Sequence, residues 1–356
     1  MQPAFLGTGH IVVWIAALAA ILLSPILTAL VVSPETRYLV MSKRVGPSDW
    51  HTEQVLKETG PLDILVLGNS RMLMAINHAA LREDVQAPDG PLNSETIAAR
   101  FNGYDLSYTF LKDFFVHRHA RLVVINYPDI PQVDNHPGEK YIRTLGQPDP
   151  GLDIKTPGLT VIDYAEMALI GPRLALASII RPGSLTRQGY RTMEDFPDFE
   201  QTRGSYTPDE GYQENKTSPR APFAHYDSPA KSQPAIIISP GAPLPAGVIL
   251  TDRPFTPIES AYLPAIKALC EKNGAILAFM QLPIANSEGP LKISNQVLAL
   301  GVPIIAASSE MMFGNISAEH IKENYYDHLH FNSNGSRRSA EVFGPALQTL
   351  LQQTRG

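Results

Sequence analysis

Two short stretches, far apart in the chain, carry residue types suited to acyl-group chemistry. One is Gly68-Asn69-Ser70-Arg71; the other is Tyr326-Asp327-His328-Leu329-His330-Phe331-Asn332. A serine hydroxyl is a poor nucleophile until a base removes its proton. The base needs one nitrogen facing the serine and a carboxylate fixing the other. Asp327 and His330, three apart, can place both groups in a single file. Each motif also has a plainer reading. Ser70 suits a turn or a helix N-cap, and Asp327–His330 suits a polar loop before a helix capped by Asn332 or Ser333. His328-Leu329-His330 is also a His-x-His pair, which with Asp327 could bind a metal. His320 is near in sequence, but no fuller ligand set is evident, so neither a metal nor a cofactor is expected. The Ser70 turn is not a Gly-x-Ser-x-Gly elbow, because Met72 occupies its last position.

Two further residues could complete such a site. Gly103 permits a tight turn, or its N–H cradles an oxyanion beside that of Ser70. Asn126 is an ordinary turn residue, or its side-chain amide adds a third donor.

These residues need elements to position them. Leu62–Leu67 reads as a strand buried on both faces, as in a parallel sheet, and a helical stretch follows from about Met72. Ala98–Asn102 is a weaker strand, followed by Gly103 and an amphipathic helix around Leu106–Val116. Arg121–Asn126 is a third strand. After a long gap come a helix at Ile258–Asn273, stopped by Gly274, and a strand at Ala275–Gln281. Asn295–Leu300 is helical and Val302–Ala306 is a strand. The last helix runs from Gly335 to about Leu351, with a kink at Gly344–Pro345. Alternating strands and helices predict an α/β fold on a parallel sheet. In such a sheet, ligands bind at the carboxyl ends of the strands, where Ser70, Gly103 and Asn126 fall.

The gap between the two halves is distinctive. Nineteen of the 31 prolines lie between Pro128 and Pro257. One helical stretch, Val161–Ile180, and a polar segment dotted with aromatics, Tyr190–Tyr226, break the irregularity. This is read as a large insertion at about 131–257, serving as lid, docking surface or groove.

The chain also carries an apolar N-terminus. Ile11–Val32 has no charged residue, and as a helix it spans roughly 30 Å, the thickness of a hydrocarbon core. It is too long for a signal-peptide core and lacks a clear cleavage site, so an uncleaved anchor is expected. The expected layout is an anchor at 1–33, a linker at 34–60 and an α/β body at 61–356. Arg37, Lys43 and Arg44 follow the span and no positive residue precedes it. Read literally, this charge bias puts the body in the cytoplasm, although large domains translocate largely regardless of charge.

Composition removes several classes. The chain has 356 residues, of which 44% are apolar and 18% charged, with a net charge of −6. Global disorder is excluded. An acidic chain lacks the basic footprint that nucleic-acid backbone binding needs. The single cysteine, Cys270, excludes an intramolecular disulfide framework and a Cys-rich zinc site.

The ordered set of motifs resembles the SGNH (GDSL-like) hydrolase family. Gly68-Asn69-Ser70-Arg71 matches its first block, with Asn69 where Asp is common. Gly103 matches the glycine of the second block, and Asp327-His328-Leu329-His330, with Asn332 and Gly335, matches the last. The third block departs from Gly-x-Asn-Asp, reading Ile125-Asn126-Tyr127-Pro128. The likeness covers about Pro61–Ile130 and Ile258–Leu351. It implies a three-layer, flavodoxin-like parallel sheet with a large insertion and a Ser70–His330–Asp327 triad. It also implies an oxyanion hole from Ser70, Gly103 and Asn126.

With the anchor and the insertion, the chain is also similar to accessory proteins of extracellular polysaccharide O-acetylation. That likeness implies an acyltransferase or esterase acting on O-acyl groups, with O-acetyl the leading candidate, of a polysaccharide. The body would lie outside a bacterial cytoplasmic membrane, beside a multi-spanning O-acyltransferase. The rival classes are a non-catalytic scaffold of the same fold, binding a glycan or a membrane partner, and a metal-dependent hydrolase using His328 and His330. In the scaffold reading Tyr206, Tyr212, Phe223 and Tyr226 could stack on sugars, although exposed loop aromatics are as often local packing.

Overall fold

The computed structural model describes residues 8–31, 51–99, 103–136, 208–225, 232–285, 289–314 and 317–354, with isolated positions within 34–38, 138–139 and 172–180. Apart from the isolated helical positions Pro172, Leu176 and Ile180, the expected helix at Val161–Ile180 lies outside them, as do most of the aromatic-dotted segment and Asn102. The first helix, α1 (Thr8–Val31), takes in nearly all of the apolar run. Ile11, Val12, Val13, Trp14, Ile15 and Leu18 on it are exposed. Side chains of α1 are described at positions 9–20 and 23. Among the described residues no helix is long and apolar enough to cross a membrane.

The body begins with β1 (Leu62–Asn69), whose apolar run is buried almost throughout. Two short helices follow, α2 (Ser70–Ala75) and α3 (His78–Asp84), where one helical stretch was expected. Asn77 divides them, because its side chain accepts from the Ala80 N–H and caps α3. Then come β2 (Ser94–Ala99), α4 (Tyr104–His117) and β3 (Ala120–Asn126). The second strand therefore starts earlier than its apolar end suggested.

The proline-rich region contributes β4 (Ile236–Ile238) and β5 (Val248–Thr251). So part of the stretch read as an insertion is built into the sheets. Next is α5 (Pro257–Lys272), started by a capping box of Thr256 and Glu259 with Pro257 in the first turn. Gly274, at φ +70°, follows its end. The chain continues through β6 (Ile276–Gln281), β7 (Leu291–Ser294), α6 (Asn295–Ala299) and β8 (Ile304–Ala306). Two short helices, α7 (Ser309–Phe313) and α8 (Ala318–Lys322), lead to α9 (Ser333–Gln353), a single helix running through Pro345.

The main sheet has the order β2-β1-β3-β6-β8-β4. The first five strands are parallel, and β4 pairs antiparallel with β8 at the edge. This is an α/β fold on a mostly parallel sheet, and its parallel strands follow the doubly wound order of a flavodoxin-like fold. A second, two-stranded parallel sheet joins β5 to β7.

The sheet divides the core in two. Leu65, Leu67, Val123 and Phe279 face a cluster with Phe110 and Phe114 of α4 and Leu263 and Ile266 of α5. Their neighbours Ile64, Val66, Val124 and Met280 face Met72, Leu81, Leu347 and Leu350 on the other side. Period-two alternation across a sheet covered on both faces produces this three-layer packing.

Candidate active site

The strand order reverses between β1 and β3, and the crevice at that switch point is where ligands bind in such sheets. Ser70 follows β1 directly. Asn69 caps α2, its Oδ1 accepting from the Arg71 N–H at 3.0 Å. An aspartate there would offer the same acceptor, so Asn69 keeps this part of the turn. The cap leaves Ser70 as the first helical residue, half-buried.

Its hydroxyl meets the far end of the chain. Ser70 Oγ lies 2.8 Å from His330 Nε2, across 260 residues of sequence. His330 Nδ1 lies 2.9 and 2.8 Å from the two carboxylate oxygens of Asp327. With the proton on Nδ1, the imidazole donates to Asp327 and Nε2 accepts from the Ser70 hydroxyl.

Asp327 is itself fixed by the loop that carries it. The backbone N–H groups of Leu329 and His330 donate to its Oδ1 at 2.8 and 2.9 Å. Burial acts to raise the carboxyl's pKa. The hydrogen bond and charge of His330, with the two backbone donors, outweigh it and hold Asp327 below the ordinary carboxylate value.

The loop is pinned at its rear. Asn332 caps α9 by accepting from the Gly335 N–H, and its own amide donates to the carbonyls of Glu323 and Tyr325. Gly335 has no room for a side chain, since a Cβ would lie 2.1 Å from the Asn324 carbonyl oxygen. Asn332 and Gly335 thus shape the loop.

The remaining predicted residues, Asn126 and Gly103, end β3 and precede α4 respectively. Asn126 ends β3, and its Nδ2 donates to the Tyr104 hydroxyl at 3.1 Å. Tyr104 donates back to the Asn126 carbonyl at 3.3 Å. Burial, then the Asp129 and Glu259 carboxylates, push the Tyr104 phenol well above its ordinary value, so it stays protonated. The Asn126 carboxamide oxygen also lies 2.9 Å from where a Cβ on Gly68 would sit, so a side chain there would crowd it. Gly103 precedes α4 in extended backbone, and a Cβ on it would lie 2.7 Å from the His136 ring. Close approach, rather than an unusual φ, calls for glycine at that position.

His328 is exposed and stands outside the relay; its carbonyl accepts from the Ala285 N–H at 3.1 Å. Both ring nitrogens of His330 are engaged by Ser70 and Asp327, which separates it from any His328–His330 metal pair. Among the described residues, no group of three or more His, Cys, Asp or Glu side chains converges on a point. Of the candidate stacking aromatics, Tyr212 is buried and Phe223 half-buried, while Tyr206 and Tyr226 lie outside the described residues.

One neighbour of Ser70 gave no sequence signal. Arg71 is buried, donating to Asp129 at 2.6 Å and to the Leu282 carbonyl at 2.7 Å. It ties the serine turn to the segments after β3 and β6. No local pattern distinguishes such an arginine from a solvated one, because both partners are remote in sequence.

Comparison with protein-family models, curated proteins and solved structures finds no match for this chain.

Proposed function

We propose that the protein is a membrane-anchored SGNH-type acyltransferase or esterase, acting on O-acyl groups of an extracytoplasmic polysaccharide. The Ser70–His330–Asp327 relay is the observation that carries this reading. Three side chains from opposite ends of the body meet at hydrogen-bond distance, in the order that nucleophile activation requires.

In the proposed reaction, Ser70 Oγ attacks the acyl carbonyl of a donor ester while His330 Nε2 takes the hydroxyl proton. The oxyanion is met by backbone N–H groups at Ser70 and Gly103, with the Asn126 amide as a third donor. His330 returns its proton to the leaving alcohol as the ester C–O bond breaks, leaving an acyl-serine. A sugar hydroxyl (transfer) or water (hydrolysis) then attacks the acyl-serine carbonyl while His330 takes its proton, and His330 returns that proton to Ser70 Oγ as the acyl–Oγ bond breaks. The Asp327 carboxylate steadies the imidazolium throughout.

The N-terminal anchor and a multi-spanning acyltransferase partner belong to the same proposal. The exposed apolar side chains of α1 support the anchor, since such a surface needs a lipid or protein cover.

Labelling of the full-length protein with a fluorophosphonate probe, followed by peptide mapping, tests the reading. The expected result is a single adduct on Ser70 and none in Ser70→Ala. Absence of any adduct on Ser70 in the wild type would support the scaffold alternative.

A further inference from the structure

The loop that carries Asp327 and His330 is contacted by a piece of the proline-rich region, which the sequence reads as a lid, docking surface or groove. Residues 208–225 form a strap lying against the loop that carries Asp327 and His330. Ser333 N–H donates to the Pro208 carbonyl at 3.1 Å, and Asn332 Nδ2 donates to that of Glu210 at 3.1 Å. Further along, Asn334 Nδ2 donates to the Ala224 carbonyl at 3.0 Å. The strap folds back on itself, with Ala221 N–H donating to the Tyr212 carbonyl at 2.8 Å. Gly211 allows this crossing, because a Cβ there would lie 1.9 Å from the Ala221 oxygen. An Asn215 side chain accepting from the N–H groups of Thr217 and Ser218 shapes its tip.

Arg220 is the centre of this contact. One guanidinium nitrogen, Nη1, donates to the carbonyls of Gly211 at 2.7 Å and Tyr326 at 3.1 Å. Nη2 donates to Gln213 Oε1 at 3.0 Å, and Nε pairs with Glu210 at 3.0 Å. The guanidinium plane also stands 4.1 Å from the centre of the Tyr326 ring. The Gln213 N–H donates to the same Tyr326 carbonyl at 3.1 Å. On its other side, the Tyr326 N–H donates to the His330 carbonyl at 2.7 Å. The peptide unit entering Asp327 is therefore held by the strap, while the Tyr326 N–H closes the loop onto the His330 carbonyl.

We infer that Arg220 is a positioning residue for the relay, setting Asp327 and His330 against Ser70 from a part of the chain about a hundred residues upstream of them. The inference rests on the catalytic reading above. Its physical basis is the fork of donors. The surface pair with Glu210 contributes little by itself. The bonds to two carbonyls and an amide, plus stacking on an aromatic face, need a planar guanidinium, and a lysine ammonium cannot reproduce them. A displacement of about 1 Å in such a constellation costs on the order of 100-fold in rate.

The test measures fluorophosphonate labelling of Ser70 in the full-length chain, separating the maximal inactivation rate from the probe's half-saturating concentration. Arg220→Ala is expected to slow the maximal rate by about 10- to 100-fold. The half-saturating concentration should stay within about two-fold, because the contacts of Arg220 are with the strap and Tyr326 rather than with Ser70. Arg220→Lys is expected to be slowed as well, while retaining a cooperative thermal transition. A purely structural role would move the transition and leave the rate of the folded fraction unchanged.

Wild-type rates in Arg220→Ala, or full recovery by Arg220→Lys, would overturn the positioning role while Ser70 labelling still stood. Failure of both variants to fold would overturn it too, making the strap part of the fold rather than a guide for the relay. A wild-type protein that never labels at Ser70 would instead remove the catalytic reading and this inference with it.

Discussion

A carboxylate that accepts from an imidazole and two backbone N–H groups has little freedom left, and Asp327 is in that position. Its work in the proposed mechanism is to keep the proton on Nδ1 of His330. Asp327→Asn would present an amide donor there and favour the wrong tautomer, so turnover of an activated acetate ester should fall by about 10,000-fold. Ser70→Ala and His330→Ala should each fall comparably, and the double variant little further, because nucleophile and base act as one unit. Additive losses, measured in the same ester assay, would contradict a shared relay. The depressed Asp327 pKa has a stability consequence of definite sign. Its contribution is present above the ordinary carboxylate pKa and is lost as pH falls through the lower folded value. Asp327 and His330 were legible in the sequence because their geometry is local, set within one four-residue turn. Arg71 and Arg220 were not, because their partners come from remote segments and an arginine carries no mark of which carbonyl it will meet.

At the scale of elements, β2 shows where sequence pattern misleads. Ser94-Glu95-Thr96 opens a strand that is buried along its whole length. Each polar side chain there has a buried partner. Ser94 and Thr96 hydroxyls meet the two ring nitrogens of His78 at 2.8 Å each, and Glu95 pairs with Arg118 at 2.8 Å. Apolar periodicity cannot register a strand satisfied this way, so only its Ala98–Ala99 end was recognised. Both side chains of the Glu95–Arg118 pair are 2% exposed. Arg118→Met would leave the carboxylate buried without its arginine, at a cost of about 3–5 kcal/mol, read as a lower urea midpoint. His78 gives a pH signature. Burial, and then the charge of Arg82, lower its pKa from 6.5 to about 3. Between those values the unfolded chain binds a proton that the native chain refuses, so stability is complete above pH 6.5 and declines below it. The decline is at most about 1.4 kcal/mol per pH unit. Urea titrations at pH 7 and pH 5.5 should show it, and His78→Gln should flatten that part of the curve.

For the whole molecule, the strand order places the serine turn and the ends of β2 and β3 on one edge, and the base loop returns to that edge just before the last helix. The alternation of strands and helices was readable because each parallel strand is buried on both faces and so appears as an apolar run. The β4 edge strand was hidden, being three residues long and surrounded by prolines. For the proposed anchored protein, two opposed arguments bear on which side of the membrane the body occupies. Arg37, Lys43 and Arg44 lie just after α1 and, counted alone, retain the body in the cytoplasm. A relay meant for an extracytoplasmic polysaccharide must instead stand outside. Three charges are a weak bias against translocation of a large folded domain, so the polysaccharide reading predicts export. The full-length chain should sediment with membranes and resist an alkaline carbonate wash, and deletion of residues 1–33 should release it. An alkaline phosphatase fused after α9 should be active, because that enzyme matures only outside the cytoplasm. An inactive but intact fusion would overturn the extracytoplasmic assignment and turn the search for an acyl acceptor toward cytoplasmic alcohols, with the relay chemistry itself unchanged.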